Sequence, residues 1–518
     1  MNKFITFSKD FLKDPHLKSK SLIIGGLPLV IFLIICSVDV ESAKQLTDLG
    51  KNFAISNLGS LWLLMVVGIF IISLILGFSP LGSLKIGGQE AKPKLKLFDW
   101  CAVLICTLLA GGGVFWSAAE PLIHFRNPSS YFSNIKGSTL EAVDPSLAIS
   151  FLHWGFLAWA LVASTVTISF SLLAQKGYQL RPRTLLIPIF PKYIVEGLLG
   201  DFVDGLSVVA AIAGTVGPLG FLSLQLSNAA GKLSFLSDNA TLQTFIVLIL
   251  TLIFTLSTIS GIQKGIKFLS EINIWLTIFI GLVLFLIGPS LWLLKHFLSS
   301  NIIYLKNIKD IALPDPSDSW VKGWTIFYWA WFLGYAPLMG LFTAEVSRGR
   351  TFRELILVVC FLCPFVTNLW FTLLGGNGIF LELNNRGIIS NELNDGGPAG
   401  VLFSILSNLP LSFLLIPISI ILIVLFMCTS ADSISYAAAI VVTGQDIPPK
   451  KIRLFWAIII GVLTIALLRI GTEIGDKTSI DALQAFIVLT AVPVTPLILS
   501  TLWTAPKLAF KEYRKLKI

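Results

Sequence analysis

Apolar runs of about twenty residues recur along this chain from residue 21 to residue 504. As a helix, one such run is ~30 Å long and crosses the hydrocarbon of a bilayer. Backbone groups find no water in that layer. Only helices and closed barrels cross it, and these runs are too long for barrel strands. The chain is 55% hydrophobic and 13% charged, where a soluble chain carries about 25% charge. It has too little charge to cover a water-facing surface. The fold class is therefore an all-α polytopic membrane protein. Twelve transmembrane spans are predicted, near 21–39, 58–80, 98–118, 145–174, 197–228, 242–260, 268–295, 324–345, 353–376, 401–441, 452–471 and 480–504. The stretch 401–441 exceeds one straight span, so its first part is expected to be a loop or an interfacial piece. Residues 1–20 are polar and basic, and no small-residue cleavage site follows, so no removable signal is expected.

The net charge of +9 is a matter of orientation. Roughly 26 of the 38 Lys and Arg fall on the side that holds both termini. Lys85, Lys92, Lys94 and Lys96 share one such loop, and Arg348, Arg350 and Arg353 another. This asymmetry predicts cytoplasmic termini and leaves no reason to invoke nucleic acid.

Two stretches contain helix breakers. "LLAGGGVFWSAAEPLIHF" has Gly111, Gly112 and Gly113 in the middle of the third span, at a cost of roughly 3 kcal/mol relative to alanine. "WTIFYWAWFLGYAPLMGLF", in the eighth span, has Gly334, Pro337 and Gly340. Five spans separate the two, and five is odd, so successive five-helix units would have opposite orientations. A five-plus-five inverted repeat is expected, with the third and eighth helices broken and the binding site between the breaks. The domain reading follows. Residues 1–20 form a tail and 21–97 two accessory helices; 98–323 form the first repeat with an amphipathic segment, 324–504 the second repeat, and 505–518 a short basic tail. Ile302, Ile303, Leu305, Ile308 and Ile311 alternate with lysines between the seventh and eighth spans. That spacing suits a surface-lying amphipathic helix or a solvated loop.

The residues that could carry chemistry are aromatic, hydroxyl-bearing and acidic. Trp324, Tyr328, Trp331 and Tyr335 follow helical spacing and share one face. Trp154 and Trp159 add indoles in the fourth span. A quaternary ammonium has no N–H to donate, but electron-rich ring faces hold it at ~0.5–2 kcal/mol each. The competing reading is ring packing or an interfacial belt. Thr429 and Ser430 interrupt an apolar helix. They either bond to their own helix's carbonyls or offer oxygens to Na⁺. Glu120 and Asp432 are intramembrane acids, functional candidates or helix-orienting groups. The six cysteines, Cys36, Cys101, Cys106, Cys360, Cys363 and Cys428, all lie in or beside apolar runs, and Cys360 and Cys363 form a CxxC without further ligands. Four histidines, none in a metal-spaced pair, predict no metal site.

"WTIFYWAWFLGYAPLMGLFTAEVSRGRTFREL", "FWSAAEPLIHF", "LHWGFLAW", "SGIQKGIKFLSEIN" and "TSADS" occur in that order. Together they closely resemble the signature blocks of the betaine/choline/carnitine transporter family, from about residue 20 to 505. The resemblance implies twelve helices with a leucine-transporter-like repeat, a homotrimer in a bacterial cytoplasmic membrane, and a trimethylammonium or sulfonium substrate. It implies an aromatic cage at Trp154, Trp159, Val162 and Phe332, with Phe115, Trp331 and Tyr335 along the substrate path. Val162 stands where the family usually has tyrosine, and Phe332 and Tyr335 where it has tryptophan, so the cage is thinned. The Na⁺ site implied uses carbonyls of Cys106, Leu109 and Phe426 with the hydroxyls of Thr429 and Ser430. Na⁺-independent exchangers of the family put an arginine on the seventh span; here that place, after Asn273, is Ile274. A second proposed Na⁺ site keeps Thr215 but has Ala211 opposite, and Leu108 and Ala110 take two of the family's glycine positions in the third span.

The expected function is Na⁺-coupled uptake of a betaine-like osmolyte. Na⁺-independent exchange or proton coupling is the alternative within transport. An enzyme acting on choline-like headgroups would need a catalytic set that the sequence does not offer, and no organic cofactor is implied. A pure osmosensor would be expected to carry a long charged C-terminal extension, where this chain ends in "TAPKLAFKEYRKLKI"; weak osmotic activation is the expectation.

Overall fold

The computed structural model describes residues 19–108, 110–233, 236–260, 262–445, 447–473 and 479–517. The described residues are almost entirely helical; their one β-bridge pairs Lys85 with Thr351. The first two helices are α1 (Lys20–Val38) and α2 (Val40–Phe78). The third span is a bent pair, α3 (Leu97–Leu108) and α4 (Ala110–Arg126), whose axes differ by 65°. The fourth is divided in three: α5 (Val143–Trp154), α6 (Phe156–Ala163) and α7 (Thr165–Ala174). Then follow α8 (Leu198–Leu233), α9 (Ala240–Ser260), α10 (Ile262–Ile287) and α11 (Ser290–Ala312). The second half comprises α12 (Thr325–Val346), α13 (Phe352–Asn384), α14 (Ser412–Thr443), α15 (Lys450–Glu473), α16 (Ser479–Ala491) and α17 (Thr495–Lys517).

Ten of these helical units are long and apolar enough to cross a membrane, or twelve if each of two bent pairs counts as one span. The chain is thus a multi-pass membrane protein. Its core is set by what each helix buries. The best apolar windows of α5–α7, α8 and α12 are 94% buried, whereas that of α9 is 22% buried. On α9, Phe245, Leu248, Leu252 and Leu256 form an exposed stripe at helical spacing, the face that meets lipid.

The two expected breaks meet different outcomes, and a third is unexpected. The third span bends just ahead of its three glycines, which lie inside α4. The eighth does not: α12 runs unbroken through Gly334, Pro337 and Gly340, and 19 of its 22 residues are buried. Gly340 serves close approach instead. A Cβ there would lie 2.3 Å from Val166 Cγ1, whereas one on Gly334 would meet Ala210 at an ordinary 3.5 Å. Packing on every side holds the helix despite the missing proline N–H. The fourth span breaks unannounced at Gly155 and Ser164. Gly155 is required there by contact, since a Cβ would meet the Phe151 carbonyl oxygen at 2.3 Å and Asn368 Oδ1 at 3.0 Å.

The amphipathic segment is helical: α11 turns 112° from the preceding helix and packs along α5. The first part of the overlong tenth span is a separate piece, Gly397–Ser407, ending at a turn with Leu411 at φ 63°. α13 holds two π-helical stretches, Val358–Leu362 and Thr372–Gly376. At the second, Gly375 meets α4: a Cβ would fall 2.5 Å from Pro121 Cγ. At the basic end, α1 crosses α8 backbone to backbone; a Cβ on Gly25 would sit 2.9 Å from the Gly205 carbonyl oxygen. Beside this crossing, Arg183 Nη2 donates to Ser21 Oγ at 2.9 Å, and Ser19 Oγ donates to the Val442 carbonyl at 2.6 Å.

Candidate substrate and ion sites

The aromatic residues converge where α4, α5 and α12 meet. The Trp154 ring lies 5.4 Å from Tyr328, 5.8 Å from Trp331 and 5.4 Å from Phe332, each near-perpendicular. These are separations of rings in edge-to-face contact. Phe371 of α13 adds a ring 5.5 Å from Trp154. The Trp331 indole donates to the Gly214 carbonyl of α8 at 3.1 Å, which fixes the ring's edge. Phe221 of α8 links Phe115 (5.1 Å) to Trp331 (5.9 Å).

Residual exposure separates lining from filler only in part. On α12, Trp331, Phe332 and Tyr335 keep 4%, 8% and 4%, while Leu333 and Ala336 keep none. On the broken fourth span, Trp154, Trp159 and Val162 keep 3–5%, while Ala160 and Leu161 keep none. Phe115, which the family resemblance also picks out, keeps none, and Ala158, which it does not, keeps 4%. Within the ring contacts of the described residues, Trp159 and Tyr335 stand apart from the cluster. Trp159 Nε1 donates to Thr367 Oγ1 at 3.1 Å. Tyr335 packs on α8, where a Cβ on Gly214 would come within 2.7 Å of its ring.

Glu120 is the polar hub of this cluster, and the sequence reading understated it. Its Oε2 accepts from the Trp154 indole N–H at 2.8 Å and the Tyr328 hydroxyl at 2.7 Å. Its Oε1 lies 2.6 Å from His153 Nδ1 and 3.3 Å from His124 Nε2. His153 Nε2 is 3.0 Å from Thr325 Oγ1. All three ionisable side chains are buried. The sequence, with no metal-spaced pair of histidines, predicts no metal site, but tertiary packing brings ligand atoms of Glu120, His124 and His153 within 4.8 Å of one another, close enough to hold an ion. Both nitrogens of His153 are engaged, so in this structure the set is a hydrogen-bond hub. The available signal was the i, i+4 spacing of Glu120 and His124 on an apolar helix, where ionisable residues are rare.

The hydroxyl pair is on α14, which packs against α3, α4 and α10. Thr429 Oγ1 donates within its own helix, to Phe426 O at 2.9 Å or Leu425 O at 3.1 Å, as the bland reading has it. Ser430 Oγ is buried with no hydrogen-bond partner, and so is Thr107 Oγ1 on α3. Cys106 is buried on α3, Leu109 lies outside the described residues, and Ile274 is buried on α10. Thr215 Oγ1 is 3.0 Å from the Ala211 carbonyl of its own helix. Asp432 is structural: it accepts from the Ser257 and Thr258 hydroxyls of α9 and ties α14 to that helix. The six cysteines form no disulfide among the described residues. A cavity of about 400 Å³ between Leu226, Ile249 and Val424 is an apolar groove lined by none of the candidate site residues.

A buried aromatic and polar centre between broken helices, in a multi-pass helical chain, defines a membrane transporter and not an enzyme. Residues 22–514 match the profile of the BCCT, betaine/carnitine/choline family transporter, and the chain belongs to that family. It is 38% identical to glycine betaine transporter 2 of Vibrio parahaemolyticus, over 96% of this chain and 91% of that one. It is 31% identical to the glycine betaine transporter OpuD of Bacillus subtilis, over 93% and 92%. It is 32% identical to the betaine/ectoine transporter LcoP of Corynebacterium glutamicum, over 88% and 71%.

Proposed function

We propose that the protein takes up a betaine-like zwitterionic osmolyte by Na⁺ symport. The observation that carries the reading is Trp154, set within 5.8 Å of the three α12 rings Tyr328, Trp331 and Phe332 in the buried interior of the molecule. Ring faces in this arrangement suit a methylated cation that donates no hydrogen bond. The relatives' names, betaine among them and ectoine in one, favour a compact zwitterion over carnitine, and Val162 leaves more room than a tyrosine.

Sodium is supported by the donor chemistry. Ser430 Oγ and Thr107 Oγ1 are buried oxygens without partners on helices in contact. Thr429 Oγ1 gives its proton to its own helix and accepts only a long contact from Asn273 Nδ2, at 3.5 Å, which leaves it a lone pair to offer. Carbonyls of Cys106, Leu109 and Phe426 would complete an oxygen site for a hard cation. A neutral zwitterion gains from the membrane potential only with a co-transported cation, at ~2.3 kcal/mol per charge per 100 mV. The same reading takes the helices as a five-plus-five inverted repeat in a homotrimer, with both termini cytoplasmic. Proton coupling is the second reading, favoured by the Glu120 hub.

The test is uptake of radiolabelled glycine betaine into proteoliposomes against external Na⁺ at fixed membrane potential. Uptake should require Na⁺, and Thr429→Ala or Ser430→Ala should raise the Na⁺ concentration for half-maximal rate by about tenfold, the order of one lost charge-assisted contact. Full uptake in sodium-free potassium buffer would reject symport at this site.

A further inference from the structure

The buried hub has a feature that neither ring packing nor helix capping needs. One carboxylate oxygen of Glu120 holds two rings of the aromatic cluster, Trp154 and Tyr328, and the other oxygen faces two imidazoles. We propose that Glu120 is the positioning residue of the aromatic site, and that its negative charge strengthens cation binding there. This inference rests on the reading of the centre as a cation site.

The argument has three steps. An indole N–H and a phenol O–H converge on the same oxygen, so Oε2 must accept twice, as an ionised carboxylate does. That oxygen ties α4 to α5 and α12, and it sets the angle at which Trp154 meets Tyr328, 71° between ring planes. A full negative charge at the polar edge of both rings also enriches the faces that a cation meets, in a setting that water does not screen.

The ionisable groups around the carboxylate are His124 on its own helix, His153 on α5 and Tyr328 on α12. Acids on the neighbouring elements are committed elsewhere. Asp144 of α5 lies 2.7 Å from His296, Asp204 of α8 binds Arg181 and Arg183, Asp432 of α14 accepts from α9, and Glu382 of α13 accepts from the backbone at Ile389.

The experiment has two readouts on the purified full-length protein at pH 7.5. The first is the Kd for glycine betaine by tryptophan fluorescence at saturating Na⁺. Glu120→Gln, which keeps an oxygen for both donors but loses the charge, should raise it about three- to tenfold, the scale of one cation–ring contact, and Glu120→Ala should raise it further. The second readout needs no substrate: the Trp154-dependent emission, each protein minus its Trp154→Phe counterpart, should shift in Glu120→Gln and further in Glu120→Ala. A Glu120→Gln Kd equal to that of the wild type, or an emission difference unchanged in Glu120→Ala, overturns the proposal. A wild type that binds no betaine overturns the substrate reading, and the emission readout then still decides the positioning role.

Discussion

Gly112 and Trp331 touch so closely that no side chain fits between them. A Cβ on Gly112 would fall 2.5 Å from the indole's Cη2 and 2.9 Å from its Cζ2, with Trp154 Cη2 at 3.3 Å. The helix α4 therefore forms one wall of the aromatic site with bare backbone, and its glycine is part of the site's shape.

Gly112→Ala should raise the KM for betaine about tenfold, within the 1–3 kcal/mol that an extra methyl group costs in a packed interior. Its maximal rate should change less, because alanine also favours the helix by ~1 kcal/mol. Uptake kinetics beside a detergent melting curve separate the two effects. An unchanged KM would mean that the rings yield freely.

Trp331 should matter more for affinity than Trp324, although both stand on one face of the eighth span. Trp331 touches Trp154 and anchors to Gly214. Trp324 instead meets His124 at 4.6 Å and Trp116 at 5.6 Å, and reaches the cluster only at its edge, at Tyr328 6.3 Å away. Trp331→Ala should lower affinity by ~0.5–2 kcal/mol, and Trp324→Ala by less than half of that. Titration of both folded variants with betaine checks the order, and equal losses would refute it.

The interhelical cluster at Arg183 should dominate stability at the basic end. Asp204 is fully buried and receives Arg183 through its backbone N–H at 2.8 Å and Nε at 2.5 Å, with Arg181 at 2.7 Å. Burial works against the Arg183 guanidinium, but Asp204 and Asp201 outweigh it and hold its pKa above the ordinary range. Arg183→Ala should cost on the order of 3 kcal/mol, since it leaves a buried charge short of partners. Lys192→Ala, which breaks an exposed 3.4 Å pair with Glu196, should cost well under 1 kcal/mol. Chemical or thermal unfolding in one detergent compares them, and similar losses would refute the burial argument.

The sequence was informative where a residue type has few uses in lipid. Trp154, Trp331 and Phe332 could be found as rings on helical faces, and Thr429 and Ser430 as hydroxyls in an apolar run. Breaks were harder to place. Gly334 and Pro337 look like breakers but lie inside an unbroken α12, whereas the lone Gly155 looks tolerable and ends a helix. The difference lies in what stands across the gap, Ala210 in one case and Asn368 in the other, and periodicity carries no partner. For the same reason the pairing of Glu120 with His153, 33 residues on, was invisible until the helices were placed.

The bare crossing of Gly25 and Gly205 leaves α1 and α8 no slack. Leu27, Ile31 and Ile34 on α1 face outward, each about half exposed. Gly214, whose carbonyl holds the Trp331 indole, lies nine residues beyond Gly205, about 14 Å along the same rod. A helix that sequence logic set aside as an addition thus shares a rigid joint with the rod that anchors Trp331: a side chain at Gly25 or Gly205 would part the two helices, since neither backbone leaves it room.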